Sequence, residues 1–214
     1  MDRSKVVIII PAYNEESTIG QVVDSTSQYG DVIVVNDASE DDTKINALNA
    51  GAIVINHKKN QGYDKTLSSG FIEADRRNYD AVITFDADGQ HDSEMLKEYI
   101  KHLNNGVDLV LGIRPRIARI SELIFMFYTR LKFQWKDPLC GMKGYSIRLY
   151  RKQGYFDSYG SVGTQLAVFG LLNDFTFIQI QVPINKRKDK PRFFSSIKAN
   201  LHILLALAKI INNK

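Results

Sequence analysis

The chain has 214 residues, enough for one sizeable core but short for two independent domains. Its formal net charge of +4 is mild, so composition does not indicate a nucleic-acid partner and we expect none. The single cysteine, Cys140, excludes an internal disulfide framework and a multi-cysteine zinc site, which fits a reducing compartment. No signal-peptide pattern and no apolar run of the roughly 18 to 20 residues that span a bilayer occur, so we expect a soluble or peripheral protein.

Strand and helix patterns alternate through the first half of the chain. Apolar, mostly β-branched runs typical of strands buried on both faces are each followed by a helical pattern. The predicted strands are 6–10, 32–35, 52–55, 81–85 and 108–111. The predicted helices are 17–29, 39–50 with Ser39 as its N-cap, 60–78 and 93–103. This alternation predicts an α/β fold with a Rossmann-like, mostly parallel sheet and helices on both faces.

The second half is less regular. Residues 120–135 form a segment that is apolar nearly all the way around, and 161–173 and 175–184 read as a helix and a strand. A basic loop, 186–192, precedes an apolar helix at 197–211. No linker or repeat divides the chain, so we expect a single domain over 1–214.

Two carboxylates follow the strand at 81–85. Asp86 and Asp88, with the amide of Gln90, suit a hard divalent cation that also holds substrate phosphates. The alternative is that both aspartates merely punctuate a turn. Asp37 and the loop at 11–15 also follow strands, and ligands of such sheets collect at the carboxyl ends of the strands.

Several further motifs occur in a fixed order. They are Pro11-Ala12-Tyr13-Asn14-Glu15, Asn36-Asp37-Ala38-Ser39, Asn60-Gln61-Gly62, Asp86-Ala87-Asp88-Gly89-Gln90-His91, Gly112-Ile113-Arg114, Asp137 with Gly141-Met142-Lys143, and Val182-Pro183-Ile184. The series covers about the whole chain. It resembles the family 2 glycosyltransferases of the GT-A fold and, within them, dolichol-phosphate mannose synthase-like enzymes.

The resemblance implies a GT-A-type fold with a nucleotide-sugar-binding half, 1–112, and a C-terminal acceptor-side extension, 113–214. It implies an inverting enzyme with a nucleotide-diphospho-sugar donor and a Mg²⁺ or Mn²⁺ ion held by Asp86, Asp88 and Gln90. Asp88, Asp137 and Arg114 are the implied catalytic residues. The implied substrate-binding residues are Pro11, Tyr13, Glu15, Asp37, Asp86, Ala87, Arg114, Arg130, Arg187 and Arg192.

Two acceptor classes make different demands. A sugar hydroxyl must lose a proton, and Asp137 is the candidate general base for that reaction. A polyprenyl phosphate is largely ionised near neutrality and needs cations instead. Four arginines beside the apolar segment could supply them: Arg114, Arg116, Arg119 and Arg130. Gln165 stands in a region where the family often has an acid, and it cannot act as a base.

The apolar segment and the C-terminal helix favour a lipid-phosphate acceptor and a peripheral position on the cytoplasmic face of a membrane. The alternatives are that both helices pack into a core or a homo-oligomer interface, that the acceptor is a saccharide hydroxyl, and that the chain is a non-catalytic nucleotide-binding module. Among the histidines, His91 is expected near the metal, whereas His57, His102 and His202 have no predicted role.

Overall fold

The computed structural model describes residues 5–115, 119–185 and 196–212. Seven strands form one sheet: β1 Val6–Ala12, β2 Asp31–Asn36, β3 Ile53–Asn56, β4 Ala81–Thr84, β5 Leu109–Ile113, β6 Lys143–Ser146 and β7 Phe177–Gln181. The helices are α1 Ile19–Thr26, α2 Thr43–Asn49, α3 Tyr63–Arg76, α4 Leu96–Asn104, α5 Ile120–Phe133, α6 Ile147–Gln153, α7 Gln165–Leu172 and α8 Ser196–Asn212. A single 3₁₀ turn, Ser93–Met95, precedes α4.

The strand order across the sheet is β3-β2-β1-β4-β6-β5-β7. β1, β2, β3 and β4 run parallel, and β7 runs parallel to β5. β6 is antiparallel to both of its neighbours, β4 and β5. The predicted mostly parallel α/β sheet is therefore confirmed. One antiparallel strand in its middle begins at the edge where β4 ends, because Thr84 pairs with Lys143.

Both faces of the sheet are buried, which explains the uninterrupted apolar run in β1. Val7 and Ile9 pack into one layer of the core, and Ile8 and Ile10 pack into the other. Successive side chains of a strand point to opposite faces, so a central strand needs apolar residues at every position. The first layer lies under α3, α5, α6, α7 and α8, and the second lies under α1 and α4.

The structure differs from the sequence-based prediction at three places: two short elements were not predicted and one helix cap is wrong. β6 and α6 were not predicted, because a four-residue strand that contains Gly144 has little periodic signal of its own. The N-cap prediction for Ser39 is wrong, since α2 begins at Thr43 after Asp42. The Ser39 hydroxyl instead donates a hydrogen bond to Asn36 Oδ1 at 2.5 Å, so it shapes the loop after β2.

In the described ranges, no helix has both the length and the apolar character that crossing a membrane requires.

Candidate active site

Two loops at the carboxyl edge of the sheet interlock through hydrogen bonds. The Asn14 amide donates to Ser39 Oγ at 2.9 Å, and the Glu40 amide donates to Asn14 Oδ1 at 2.9 Å. The Glu15 amide donates to Thr43 Oγ1 at 2.7 Å. Asn14 has φ 53°, a left-handed conformation that asparagine tolerates better than most residues. These bonds fix the loop after β1 against the loop after β2, where the donor nucleotide is predicted to bind.

The predicted nucleotide-binding residues of the first loop differ in accessibility. Tyr13 is 39% exposed and presents its ring at the edge of the site. Pro11 is half-buried in β1. The Glu15 side chain is buried and accepts a hydrogen bond from Thr18 Oγ1 at 3.4 Å. Glu15 therefore lies beneath the loop, while Tyr13 lies at its surface.

Asp37 is buried and held by three donors. His57 Nδ1 lies 2.7 Å from Asp37 Oδ1, and the amides of Gln61 and Gly62 donate to the two carboxylate oxygens at 2.9 and 2.8 Å. His57 Nε2 lies 2.9 Å from Ser69 Oγ on α3. A neutral imidazole that donates Nδ1–H to Asp37 accepts from the serine hydroxyl at its other ring nitrogen. His57, for which the sequence indicated no role, thus orients the predicted nucleotide-binding carboxylate.

Asp86 lies against the backbone of the acceptor-side junction. A Cβ added to Gly141 would stand 2.0 Å from Asp86 Oδ2, so only glycine fits there. His91 Nε2 lies 3.0 Å from the same oxygen, and the Asp86 side chain remains 31% exposed. Burial would raise the pKa of this carboxyl, but the hydrogen bond from His91 and the charges of Lys143 and Arg114 hold the pKa below its usual value. Asp86 is therefore ionised near neutrality.

Asp88 and Gln90 complete the predicted metal-binding turn. Asp88 Oδ1 accepts a hydrogen bond from the Gln90 amide at 3.1 Å, and the Gln90 side-chain amide donates to the Asn185 carbonyl at 3.3 Å. Ala87 between the aspartates is buried. Within the described residues no three histidine, cysteine, aspartate or glutamate side chains form a metal-binding cluster. Two carboxylates with room for water and phosphate oxygens fit Mg²⁺ or Mn²⁺ better than a metal that needs a full protein ligand set.

Arg114 and Asp137 form a bidentate ion pair on the acceptor side. Arg114 Nε and Nη2 donate to the two Asp137 oxygens at 2.8 and 2.9 Å, and the Arg114 amide donates at 3.0 Å. Arg114 Nη2 also donates to Glu122 Oε2 of α5 at 3.0 Å. Burial would raise the pKa of Asp137, but the hydrogen bonds and charge of Arg114 hold it below its usual value. A paired carboxylate of low pKa is a weak general base.

The remaining predicted site residues are more scattered. Arg119 donates to Glu122 Oε1 at 3.3 Å, and Arg130 is exposed on α5. Arg116, Arg187 and Arg192 lie outside the described residues. Gln165 accepts a hydrogen bond from the Ser158 amide at 2.7 Å and holds a neighbouring loop. His102 Nε2 lies 3.8 Å from Glu98 Oε1, within α4.

This arrangement can be compared with known proteins. A family model described as "Glycosyl transferase family 2" matches residues 7–157. The chain belongs to glycosyl transferase family 2. The matched span includes the interlocked loops, the Asp86–Gln90 turn and the Arg114–Asp137 pair, and the predicted family is confirmed.

Two named proteins are similar to the chain over much of its length. A UDP-N-acetylglucosamine–dolichyl-phosphate N-acetylglucosaminyltransferase from Methanococcus voltae is 33% identical, and the match covers 66% of this chain and 69% of that protein. A dolichyl-phosphate hexose transferase from Haloferax volcanii is 25% identical, covering 85% and 83%.

Solved structures share the fold. Glucosyl-3-phosphoglycerate synthase from Mycobacterium tuberculosis, crystallised with Mn²⁺, UDP and glucosyl-3-phosphoglycerate, superposes with a TM-score of 0.79 at 22% identity. The match covers 98% of this chain and 79% of that one. Another crystal of the same synthase contains Mg²⁺ and UDP. This likeness confirms the predicted fold of a glycosyltransferase, while the identity of the sugar acceptor differs among these relatives.

Proposed function

We propose that the protein is a metal-dependent, inverting glycosyltransferase that moves a sugar from a nucleotide-diphospho-sugar to a polyprenyl phosphate. The observation that carries this proposal is the Arg114–Asp137 pair. Both oxygens of the candidate base are occupied, and the pKa of Asp137 is lowered. A phosphate acceptor is already ionised, with a second pKa of about 6, and does not need a base.

The donor-side residues support the same reaction. In the reaction an acceptor phosphate oxygen attacks the anomeric carbon, the bond to the nucleoside diphosphate breaks, and the configuration inverts. The diphosphate gains negative charge as it leaves, and a divalent cation held by Asp86 and Asp88 would neutralise that charge as a Lewis acid. Asp37, fixed by His57 and two amides, can accept a hydrogen bond from the donor base or ribose. The relatives that use dolichyl phosphate support a lipid-linked acceptor.

An apolar surface beside the site supports contact with a membrane. The exposed large apolar residues of each helix are spaced as one helical stripe. In α5 they are Ile120, Leu123, Ile124, Phe127 and Leu131. In α8 they are Ile197, Leu201, Leu204, Leu205 and Ile211. The two helices pack side by side, where Ser121 Oγ donates to Asn200 Oδ1 at 2.5 Å. Their only acid is Glu122, which is buried and paired with arginines. An apolar stripe with exposed cations suits an anionic lipid surface.

A transfer assay tests the proposal. A thermal-shift screen of nucleotide sugars with Mn²⁺ identifies the donor, because a bound ligand raises apparent stability. That donor is then offered with farnesyl phosphate or with an oligosaccharide. We expect the unaltered protein to transfer the sugar to farnesyl phosphate. Asp88→Ala should abolish this transfer, whereas the matched surface variant Asp80→Ala should retain it.

The same assay separates the two acceptor classes. Asp137→Asn removes the candidate base but keeps the shape of the side chain. Transfer only to the oligosaccharide, lost in Asp137→Asn with donor binding intact, would favour the saccharide acceptor instead. Donor binding without any transfer across both acceptors would favour a nucleotide-binding module.

A further inference from the structure

Lys143 is a buried lysine at the ligand edge of the sheet. It is the first residue of β6, it is 3% exposed, and it pairs with Thr84 at the end of β4. Two residues after Thr84 comes Asp86 of the metal-binding turn. Because β6 runs antiparallel to β4, its first residue lies beside the last residue of β4. Lys143 is therefore buried at the edge of the sheet where ligands of such folds collect.

The Lys143 ammonium has no anionic partner. Among the described residues no carboxylate lies within 4.0 Å of it and no group accepts a hydrogen bond from it. Its contact is with the ring of Trp135, whose centroid lies 5.9 Å from Nζ. Burial lowers the pKa of Lys143, whereas Cys140, Asp137 and Asp86 nearby raise it. A lysine that is 3% exposed and has no acid within ion-pair distance is suited to bind an anion from outside the chain.

Two buried donors on this side of the sheet lack an acceptor. Trp135 Nε1 and Tyr145 Oη have no hydrogen-bond partner in the described part of the chain. Tyr145 lies two residues along β6, on the same face of the sheet as Lys143. Buried polar groups are nearly always satisfied, and an oxyanion or an ordered water would supply what these donors lack.

We propose that Lys143 binds an oxyanion of a substrate, either the phosphate of the acceptor or a carboxylate on the transferred sugar. This inference rests on the proposed transfer reaction. Of the four arginines expected to meet the phosphate, Arg114 and Arg119 are each already paired with a carboxylate. Lys143 lies two residues after Gly141, whose backbone packs against Asp86, and its ammonium is near enough to Asp86 and Asp137 for both charges to raise its pKa. Its ammonium is thus placed where the donor sugar and the acceptor meet.

The test compares Lys143→Met with Lys136→Met, a matched change of an exposed lysine one residue after Trp135. Binding of four probes is measured by titration with Mn²⁺ present: UDP, UDP-glucose, UDP-glucuronate and farnesyl phosphate. We expect Lys143→Met to weaken binding of either farnesyl phosphate or UDP-glucuronate at least tenfold and to leave binding of UDP and UDP-glucose within twofold. Loss of farnesyl phosphate assigns the acceptor phosphate, whereas selective loss of UDP-glucuronate assigns a sugar carboxylate. Lys136→Met should change none of the four.

Three results would overturn the inference. Unchanged binding of both farnesyl phosphate and UDP-glucuronate in Lys143→Met would leave only a buried water as the partner. Equal weakening of all four probes would mean that Lys143 merely offsets the charges of Asp86 and Asp137. Failure of the unaltered protein to bind either farnesyl phosphate or UDP-glucuronate would also reject the inference. If the methionine variant does not fold, Lys143→Gln provides the same comparison. Failure of the proposed function is distinct, because it appears as absent transfer in the unaltered protein.

Discussion

At the scale of single residues, the site depends on contacts that tolerate little change. Asp86 is held between His91 and the bare backbone of Gly141, and Asp37 is held by His57 and two amides. Each carboxylate has hydrogen-bond donors that orient it before any ligand arrives. Such preorganisation lets charged groups act on a ligand without first rearranging.

Gly141→Ala should therefore displace Asp86. The new Cβ would lie 2.0 Å from Oδ2, so the carboxylate must move by more than an ångström. We expect sugar transfer to fall about a hundredfold, since a misplacement of that size at a reacting centre has about that effect. Gly20→Ala in α1, where nothing lies within 4 Å, is the control and should keep full activity. Full activity in Gly141→Ala, measured at saturating Mn²⁺, would refute this role of Asp86.

His57→Phe should weaken donor binding. The ring would still fill the space, but Asp37 would lose the hydrogen bond at 2.7 Å. Hydrogen bonds to charged groups contribute about 1.5–3 kcal/mol, so the donor KM should rise about tenfold or more while kcat changes little. His102→Phe, a change of a half-buried histidine on α4, serves as the control. Steady-state kinetics at varied donor concentration make the comparison, and an unaltered KM in His57→Phe would contradict it.

At the scale of elements, one loop ties the two halves of the site together. Asp64 in the first turn of α3 accepts hydrogen bonds from the amides of Val162 and Gly163, just before α7. Val162 has φ 57°, which is unusual for a β-branched residue. Burial first, and then the charge of Asp157, raises the pKa of Asp64 to about 6. The loop before α7 is thus hydrogen-bonded to a carboxyl whose pKa is higher than usual.

The raised pKa of Asp64 has a consequence for stability. A carboxyl whose pKa is higher in the folded chain binds more protons there, so its ionisation destabilises the fold as pH rises from about 4 to 6. Asp64→Asn removes this titration. The quantity of interest is the unfolding free energy of Asp64→Asn minus that of the unaltered protein. We expect this difference to be about 2–3 kcal/mol larger at pH 7 than at pH 4. Urea unfolding at both pH values measures it, and a constant difference would show that Asp64 titrates normally.

The apolar stripes of α5 and α8 are the second feature at this scale. Replacing Phe127 or Leu201 with Glu would put a charge into the surface that we propose contacts lipid. Loss of one such apolar contact is worth about 1.5–3 kcal/mol, so partitioning onto phosphatidylserine-containing vesicles should fall about tenfold or more. Ile45→Glu, on the exposed face of α2, is the matched control and should bind vesicles as before. Equal binding by all three variants in a flotation assay would exclude this surface as the membrane contact.

At the scale of the whole molecule, the sequence predicted the sheet better than the contacts across it. The apolar run at 6–10 predicted a central strand, and β1 does pair with β2 and β4. The insertion of β6 between β4 and β5 has no such signal, because its four residues become a strand only between two neighbours. The Arg114–Asp137 pair joins residues 23 apart and depends on that insertion. The spacing of apolar residues along the sequence indicates which segments are helices or strands and which faces are buried. It carries little information about which distant residues pair.

The same distinction applies to the site. Asp86, Asp88 and Gln90 could be grouped from the sequence because they are neighbours in one turn. The chain from Ser69 through His57 to Asp37 could not, because it joins three elements that meet only after folding. The one available signal for His57 was its position directly after β3, at the ligand edge of the sheet.

The charges of the whole chain also suit the proposed reaction. The formal net charge is +4, and the two acids that contact Arg114, Glu122 and Asp137, are both neutralised by ion pairs with arginines. Neutralised acids and exposed cations favour an approaching phosphate over a neutral saccharide. The proposed function therefore depends most on the identity of the acceptor.

A ³¹P NMR experiment on the transfer product tests that acceptor directly. The protein is incubated with Mg²⁺, the nucleotide sugar selected by thermal shift, and farnesyl phosphate. We predict that the phosphate monoester signal is replaced by that of a sugar phosphodiester, and that Asp88→Ala prevents the change. An unchanged monoester signal while the sugar is transferred to a carbohydrate hydroxyl in the same tube would contradict it.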